Sequence, residues 1–196
     1  LGSGNYHYVS FLLLSEIQEP FTLTLFDHHT DMMEDPSPTV LSCGSWVFHA
    51  IDRLPMLQKV IVVGASKEFE DQIPPHLREK VTLFFYPYAG SLESLSHQIV
   101  ASIPTSTVYI SIDKDVLDRT EVVTNWDQGN MTVRHLVGLV SSILTHYKVS
   151  GVDICGEYPL SPLGIFSTES GRVIRKNEQA NRIILDSIMN RYAKTG

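Results

Sequence analysis

Two apolar runs of strand length end in the same way. Phe21 to Phe26 leads straight into Asp27-His28-His29-Thr30-Asp31, and Val108 to Ile112 leads into Asp113-Lys114-Asp115, with Asp118 close behind. Alternate side chains of an extended segment share a face, so Asp27, His29 and Asp31 converge, as do Asp113 and Asp115. Such clusters constrain the fold strongly. If the two strand mouths lie side by side and point the same way, as in a parallel sheet, they form one cup of ligand-type side chains.

Crowded carboxylates repel one another and are costly to desolvate unless they bind a cation or share protons. A mixed imidazole and carboxylate set suits divalent first-row ions, with oxygen-rich sets leaning toward Mn or Mg and zinc remaining open. The bland alternative for D-x-H-x-D alone is a polar loop capping a helix. A second acidic cluster at a second strand end weighs against it.

The chain has 196 residues, 43% of them hydrophobic, and a formal net charge of -7, which fits a single globular domain over residues 1–196. The acidic balance, without a Lys/Arg block, argues against nucleic acid or an anionic membrane as partner. A small-molecule substrate is expected instead. No apolar run reaches the ~18 residues of a membrane span. Cys43 and Cys155 are isolated thiols without C-x-x-C spacing, pointing to buried small residues and a reduced, cytoplasmic setting. The chain opens at Leu1 and enters Gly2-Ser3-Gly4, which reads as the exit of a strand whose body precedes it, or as a tag remnant. The first reading expects an N-terminal part to be missing.

Strand-length apolar runs alternate with amphipathic stretches, the pattern of a parallel sheet with helices on both faces. Strands are expected at Thr22 to Phe26, Lys59 to Val63, Val81 to Tyr86, Thr107 to Ile112 and Gly151 to Ile154. Helices are expected at Tyr8 to Ile17, Ser45 to Leu54, Ser91 to Ser102, Thr132 to Tyr147 and Asn177 to Tyr192. Thr132 suits an N-cap and Lys148 the C-terminal end of the same helix. Pro36-Ser37-Pro38, Pro74-Pro75 and Pro159 to Pro162 read as surface loops. The irregular stretches after the acidic clusters, Met32 to Gly44 and Arg119 to Met131, would wall a cleft beyond the carboxyl ends of the strands.

The motifs resemble those of the ureohydrolases (arginase, agmatinase, formiminoglutamase). Asp27 to Asp31 is similar to that family's D-x-H-x-D signature, Ser111 to Asp118 to its S-x-D-x-D-x-x-D signature, and Gly4-Asn5-Tyr6-His7 to its earlier G-G-D-H segment. The resemblance implies a three-layer α/β/α fold with a mainly parallel sheet, shared with histone-deacetylase-like enzymes. It also implies a site for two Mn2+ ions. One ion would take His7, Asp27, Asp31 and Asp113; the other would take His29, Asp27, Asp113 and Asp115. Asp27 and Asp113 would bridge, with Asp31 as an alternative bridge to Asp27. Family members commonly form trimers or hexamers, so a homo-oligomer is implied as well. His28 should face away from the cup and be structural, and Asp118 should orient its loop rather than bind metal.

Three departures from the family pattern concern the substrate side. The arginase segment carrying a proton-transfer histidine reads Ser42-Cys43-Gly44-Ser45-Trp46 here, leaving His49 as the nearest replacement or as a structural residue on its helix. The E-V-N-P segment reads Cys155-Gly156-Glu157-Tyr158-Pro159, which puts Glu157 one place late for a substrate-binding role unless a bulge at Gly156 restores its direction. After the second motif, Trp126 and Asp127 stand where a Pro/Gly-rich turn is usual. They could stack on and pair with a planar cationic group, or Trp126 could simply anchor the loop.

The expectation is a binuclear manganese-dependent hydrolase of a linear C–N bond in a guanidino, amidine or amide substrate, with Asp115, Glu157, Asp127 and His49 as candidate catalytic groups. The alternatives are a single-zinc (Zn2+) deacylase of histone-deacetylase type and a metal-binding module without turnover.

Overall fold

The computed structural model describes residues 1–34, 40–159 and 167–192. Pro36-Ser37-Pro38 and the part of the Pro159 to Pro162 segment from 160 onward lie outside the described residues. Five strands, β1 (Phe21–Phe26), β2 (Leu57–Val63), β3 (Val81–Phe84), β4 (Thr107–Asp113) and β5 (Lys148–Cys155), form one parallel sheet in the order β3-β2-β1-β4-β5. The helices are α1 (Val9–Ser15), α2 (Trp46–Arg53), α3 (Leu92–Ala101), α4 (Val133–His146) and α5 (Thr168–Tyr192). This is the expected α/β/α sandwich with a parallel sheet.

Strand alternation sorts the core into two layers. Leu23, Leu25, Val60 and Val62 pack with Trp46, Val47 and Ala50 of α2 and with Leu14 of α1. Phe26, Ile61, Ile110 and Ile112 pack on the other face with residues of α3, α4 and α5. β1 is buried along its whole length, as expected of a central parallel strand covered on both faces. Full burial of one such aliphatic side chain contributes about 1.5–3 kcal/mol.

The order of the strands also locates the site. From β1 the chain steps outward to β2 and β3, then returns to place β4 on the other flank of β1. Ligands of open α/β sheets bind beyond the carboxyl ends of the strands where such a reversal falls. β1 and β4 are paired in register through Phe26 and Ile112, so Asp27 and Asp113 leave the sheet side by side.

Several element ends differ from expectation. β3 stops at Phe84, whose carbonyl accepts from Gly64 N, so its ladder with β2 ends before Tyr86-Pro87. β5 begins at Lys148, which pairs with Glu19 and therefore does not serve the end of α4; the exposed outer positions of this strand hide its apolar alternation. α5 begins at Thr168 rather than Asn177. Its first turns are largely polar and carry little apolar periodicity, and Ser167 Oγ accepts from Ser170 N at their start. Pro74-Pro75, expected as a plain loop, leads into a 3-10 turn, Pro75–Lys80, whose first position suits the fixed φ of proline. Thr132 caps α4 as expected, its hydroxyl accepting from His135 N at 3.1 Å.

Candidate metal centre

Each carboxylate is turned into place by its own backbone. Asp27 Oδ1 accepts from His29 N at 2.7 Å, a tight turn that folds His29 back over the end of β1. Asp113 Oδ1 accepts from Asp115 N at 3.0 Å, and the 3-10 turn Lys114–Val116 brings Asp115 back in the same manner. Asp31 adopts a left-handed backbone (φ 52°), which aspartate tolerates better than most residues. Trp46 Nε1 donates to its Oδ2 at 2.6 Å, and Val47 N donates to its carbonyl, so the start of α2 pins it.

His7 reaches the same cup from the turn Gly4–Tyr6. Its Nδ1 lies 3.0 Å from Asp31 Oδ2, 3.3 Å from Asp27 Oδ2 and 3.6 Å from Asp113 Oδ2. His29 Nδ1 lies 3.0 Å from Asp115 Oδ2 and 3.4 Å from Asp27 Oδ1. Asp27 thus turns one oxygen to each histidine, while Asp31 stands beside His7. Asp113 faces His7 through Oδ2 and gives Oδ1 to the Asp115 backbone.

Behind the cup runs a second row that the sequence motifs alone did not single out. His7 Nε2 is 2.9 Å from Ser111 Oγ, which donates to Asp153 Oδ1 at 2.9 Å. With the serine proton committed to Asp153, the Ser111 lone pairs face Nε2, so Nε2 donates to Ser111 and Nδ1 is left to the carboxylates, where the proton it shares with them would give way to a cation. Fixing the tautomer through the far nitrogen is how metal-binding histidines are commonly oriented.

The four carboxylates are buried, and the protein groups alone perturb them strongly. Burial and the charge of Asp27 push Asp31 up to about 6. Burial raises Asp113 as well, helped by Asp27, and carries Asp115 well above the usual carboxylate range, helped by Asp113. Asp27 goes the other way: burial opposes its charge, but hydrogen bonds to His29 and His7 hold it well below the usual range. Burial would lower His29, yet Asp115 and Asp27 bring it up to about 11. Four buried carboxylates beside two imidazoles form an anionic pocket that divalent cations would neutralise. Donor atoms close enough to share one ion occur in two groups with Asp27 in common, His7/Asp27/Asp31 and Asp27/His29/Asp115. A third group is His7/Asp113/Cys155. The donor set therefore fits the ions that the sequence implied.

The cup is the floor of a cavity of about 460 Å³, walled by Met33, Phe69, Gln72, Trp126 and Asp127. Trp126 Nε1 donates to Asn5 Oδ1 at 2.9 Å, and its ring centre lies 6.1 Å from that of His29. Two candidates are not brought to this cavity. His49 lies on the buried side of α2 with Nε2 2.8 Å from Val40 O, and it does not line the cavity. Glu157 leaves Gly156 (φ 92°) in another direction and accepts from Lys114, from Asn181 Nδ2 at 2.7 Å and from Asn177 Nδ2 at 3.1 Å. The left-handed glycine does redirect the chain, but not toward the cup. His28 packs edge-on against Phe69 outside the cavity lining, and Asp118 accepts from Thr120 N and Oγ1 within its own loop.

A parallel α/β/α sheet with a His/Asp cup at its reversal point defines an α/β protein with the donor set of a metal centre, and comparison narrows the class. The Arginase family matches residues 6–162, so the chain belongs to that family. It is 34% identical over 157 residues to an uncharacterized protein of Thermotoga maritima, covering 80% of this chain and 56% of that one. Among solved structures, a hypothetical agmatinase from Burkholderia thailandensis superposes with a TM-score of 0.73 at 18% identity, over 100% of this chain and 60% of the other. The agmatine ureohydrolase of Thermoplasma volcanium gives 0.69 at 16% identity, over 96% and 61%. These structures share the fold, and the chain spans less than two thirds of their length.

Proposed function

We propose that the protein is a binuclear metal-dependent hydrolase of a linear C–N bond in a guanidino, amidine or amide substrate, with manganese as its metal. One observation carries this reading: Asp27 turns its two oxygens toward two different histidines, as a carboxylate shared between two ions would. His7, Asp31 and Asp113 would hold one ion with it, and His29 and Asp115 the other. Two such ions supply Lewis-acid charge and a water acidic enough to give hydroxide near neutral pH.

The chain's own residues supply orientation. Trp126 lines the cavity with its ring centre 6.1 Å from that of His29, within reach of a planar cationic head group, and Asp127 is the cavity-lining carboxylate outside the proposed ligand set. Together they would stack on and pair with a guanidinium or amidinium, turning its carbon toward the cup. Phe69 and Met33 give that cleft apolar walls that limit access of bulk water. No helix among the described residues is long and apolar enough to cross a membrane. A cytoplasmic setting, inferred from the two free thiols, belongs to the same proposal.

Elemental analysis tests the centre and a substrate panel tests the reaction. Two manganese ions per chain are expected, lost in Asp27→Ala and Asp113→Ala, with ammonia or urea released from some guanidino or amide compound. Full occupancy in both variants would overturn the ligand assignment; one zinc per chain would point to the deacylase alternative. Metal-binding without turnover is favoured by the sequestration of Glu157, and bound metal with no product across the panel would support it.

A further inference from the structure

The sulfur of Cys155 lies 3.0 Å from Asp113 Oδ2, the same oxygen that faces His7 Nδ1 at 3.6 Å. The position follows from the sheet. Asp113 and Cys155 close the β4 and β5 strands as register partners, as Ser111 and Asp153 are two residues earlier, so the four side chains rise from one face as a polar ladder beneath His7. His7, Asp113 and Cys155 are all buried, and one donor atom from each lies within 4.8 Å of the other two. Cys155 is absent from the cavity lining, so its thiol approaches the cup from the sheet and leaves the cavity side open.

We propose that Cys155 is a sulfur ligand to the ion held by His7, Asp31 and Asp113, so that the two metal positions differ in chemistry. The idea rests on the binuclear reading but adds an asymmetry to it. Metal–sulfur bonds of ~2.3 Å and metal–oxygen bonds of ~2.1 Å place the two donors about 3.1 to 3.6 Å apart for right-angled to tetrahedral geometry. The observed spacing of 3.0 Å therefore needs only a small opening. On binding, the incoming cation displaces the S–H proton to solvent, and the sulfur lone pair forms the new bond. The second group, Asp27/His29/Asp115, offers nitrogen and oxygen alone. Thiolate favours zinc or cobalt over manganese, so a thiophilic ion would displace manganese more readily from the position at Cys155 than from the Asp27/His29/Asp115 position. The competing role for Cys155 is that of a weak S–H donor orienting the Asp113 carboxylate.

Cobalt(II) titration of chelator-stripped protein separates these roles. Visible ligand-field bands report bound cobalt, and a near-ultraviolet charge-transfer band reports a cobalt–thiolate bond. The expected result is a charge-transfer band that saturates at one cobalt per chain, survives in Cys43→Ser and disappears in Cys155→Ser while ligand-field bands remain. Should Cys155→Ser not fold, wild type and Cys43→Ser still decide, because the chain has only these two cysteines. Ligand-field bands without charge transfer in the wild type would overturn the sulfur ligand and leave the binuclear reading intact. A band lost in Cys43→Ser would also overturn it. Absence of any cobalt binding would remove both.

Discussion

Lys114 and Glu157 form an ion pair beneath the carboxylates of the cup. Lys114 stands between Asp113 and Asp115 in the chain, yet its side chain points out of the cup and is fully buried. Glu157 receives it together with two amides of α5, Asn177 and Asn181. The arrangement ties the turn after β4 to the loop after β5 and to the last helix. Its partners are unequal: burial lowers the Lys114 ammonium, whereas Glu157 keeps 37% side-chain exposure.

That inequality predicts an asymmetry between deletions. Glu157→Leu leaves a buried ammonium without its counter-charge, and breaking buried pairs in this way costs about 3–5 kcal/mol, with the lower end expected because Glu157 is partly solvated. Lys114→Met leaves a carboxylate that keeps water and two amide donors, so about 1–2 kcal/mol is expected. Urea unfolding midpoints of the two variants check the order. Equal midpoints, or a larger loss for Lys114→Met, would refute the asymmetry.

A second prediction concerns the row behind His7. Ser111→Ala removes the group that fixes the His7 tautomer and leaves Asp153 without that partner. Loss of such outer hydrogen bonds lowers metal affinity by roughly 10- to 100-fold. Competitive chelator titration should show the change in one of the two ions only, since the row serves His7 and not His29. An equal loss at both ions would mean that the serine acts through the sheet as a whole.

How far these features can be read in the sequence depends on the residue. The cup was legible because the motifs put Asp27, His29, Asp113 and Asp115 at two strand ends, although tight turns held by the Asp27 and Asp113 side chains, and not strand alternation, bring His29 and Asp115 back into it. The sheet was legible because five apolar runs match the strand period. The pairing of Lys114 with Glu157 was not, although a charge between two aspartates of the cup that turns away from it and is buried requires a partner. Cys155 and Ser111 act through register between β4 and β5, which no single segment encodes. The polar start of α5 lacked the apolar stripe that would have marked it.

Gly156 should be intolerant of any side chain. Its φ of 92° lies in the left-handed region, and a Cβ there would sit 2.5 Å from Asp113 Oδ1 and 2.8 Å from Lys114 N. Gly156→Ala would therefore displace the end of β4 and the proposed metal ligand together. We predict a loss of about 2 kcal/mol or more in unfolding free energy, accompanied by weaker metal binding. An alanine variant with unchanged stability and metal content would show that the β5 exit is not pressed against Asp113.

Substitution of Trp126 tests the proposed substrate contact separately from the proposed metal ligands. It is 42% exposed and anchored to Asn5 through its indole nitrogen, so truncation should cost little stability. A cation–π interaction at such a site is worth about 0.5–2 kcal/mol, so removing the ring should raise KM by roughly 2- to 30-fold. Trp126→Ala should keep its metal, and Trp126→Phe should recover part of the effect on a cationic substrate. A neutral substrate showing the same KM change would argue that the ring merely fills the wall.

The final prediction is the pH dependence of metal stabilisation. Asp31, raised to about 6, binds more protons in the folded than in the unfolded chain between the ordinary aspartate value of 3.8 and its folded value. In chelator-treated protein its contribution is fully present below the ordinary value and is lost as pH rises through about 6. Asp113 and Asp115 shift in the same direction and steepen the loss. Cations compete with those protons and take over their role, so binding strengthens over the range in which the stripped protein weakens. At a ligand concentration 100-fold above Kd the added stability is about 2.7 kcal/mol. Thermal unfolding with manganese and with chelator should therefore give a Tm difference that is small near pH 5, grows through about pH 6 and goes on growing above neutrality, because His29, brought up to about 11, must also give up its proton to bind a cation. A difference that is constant over this range, or largest at acid pH, would show that the carboxylates of the cup are not the groups that bind the ions.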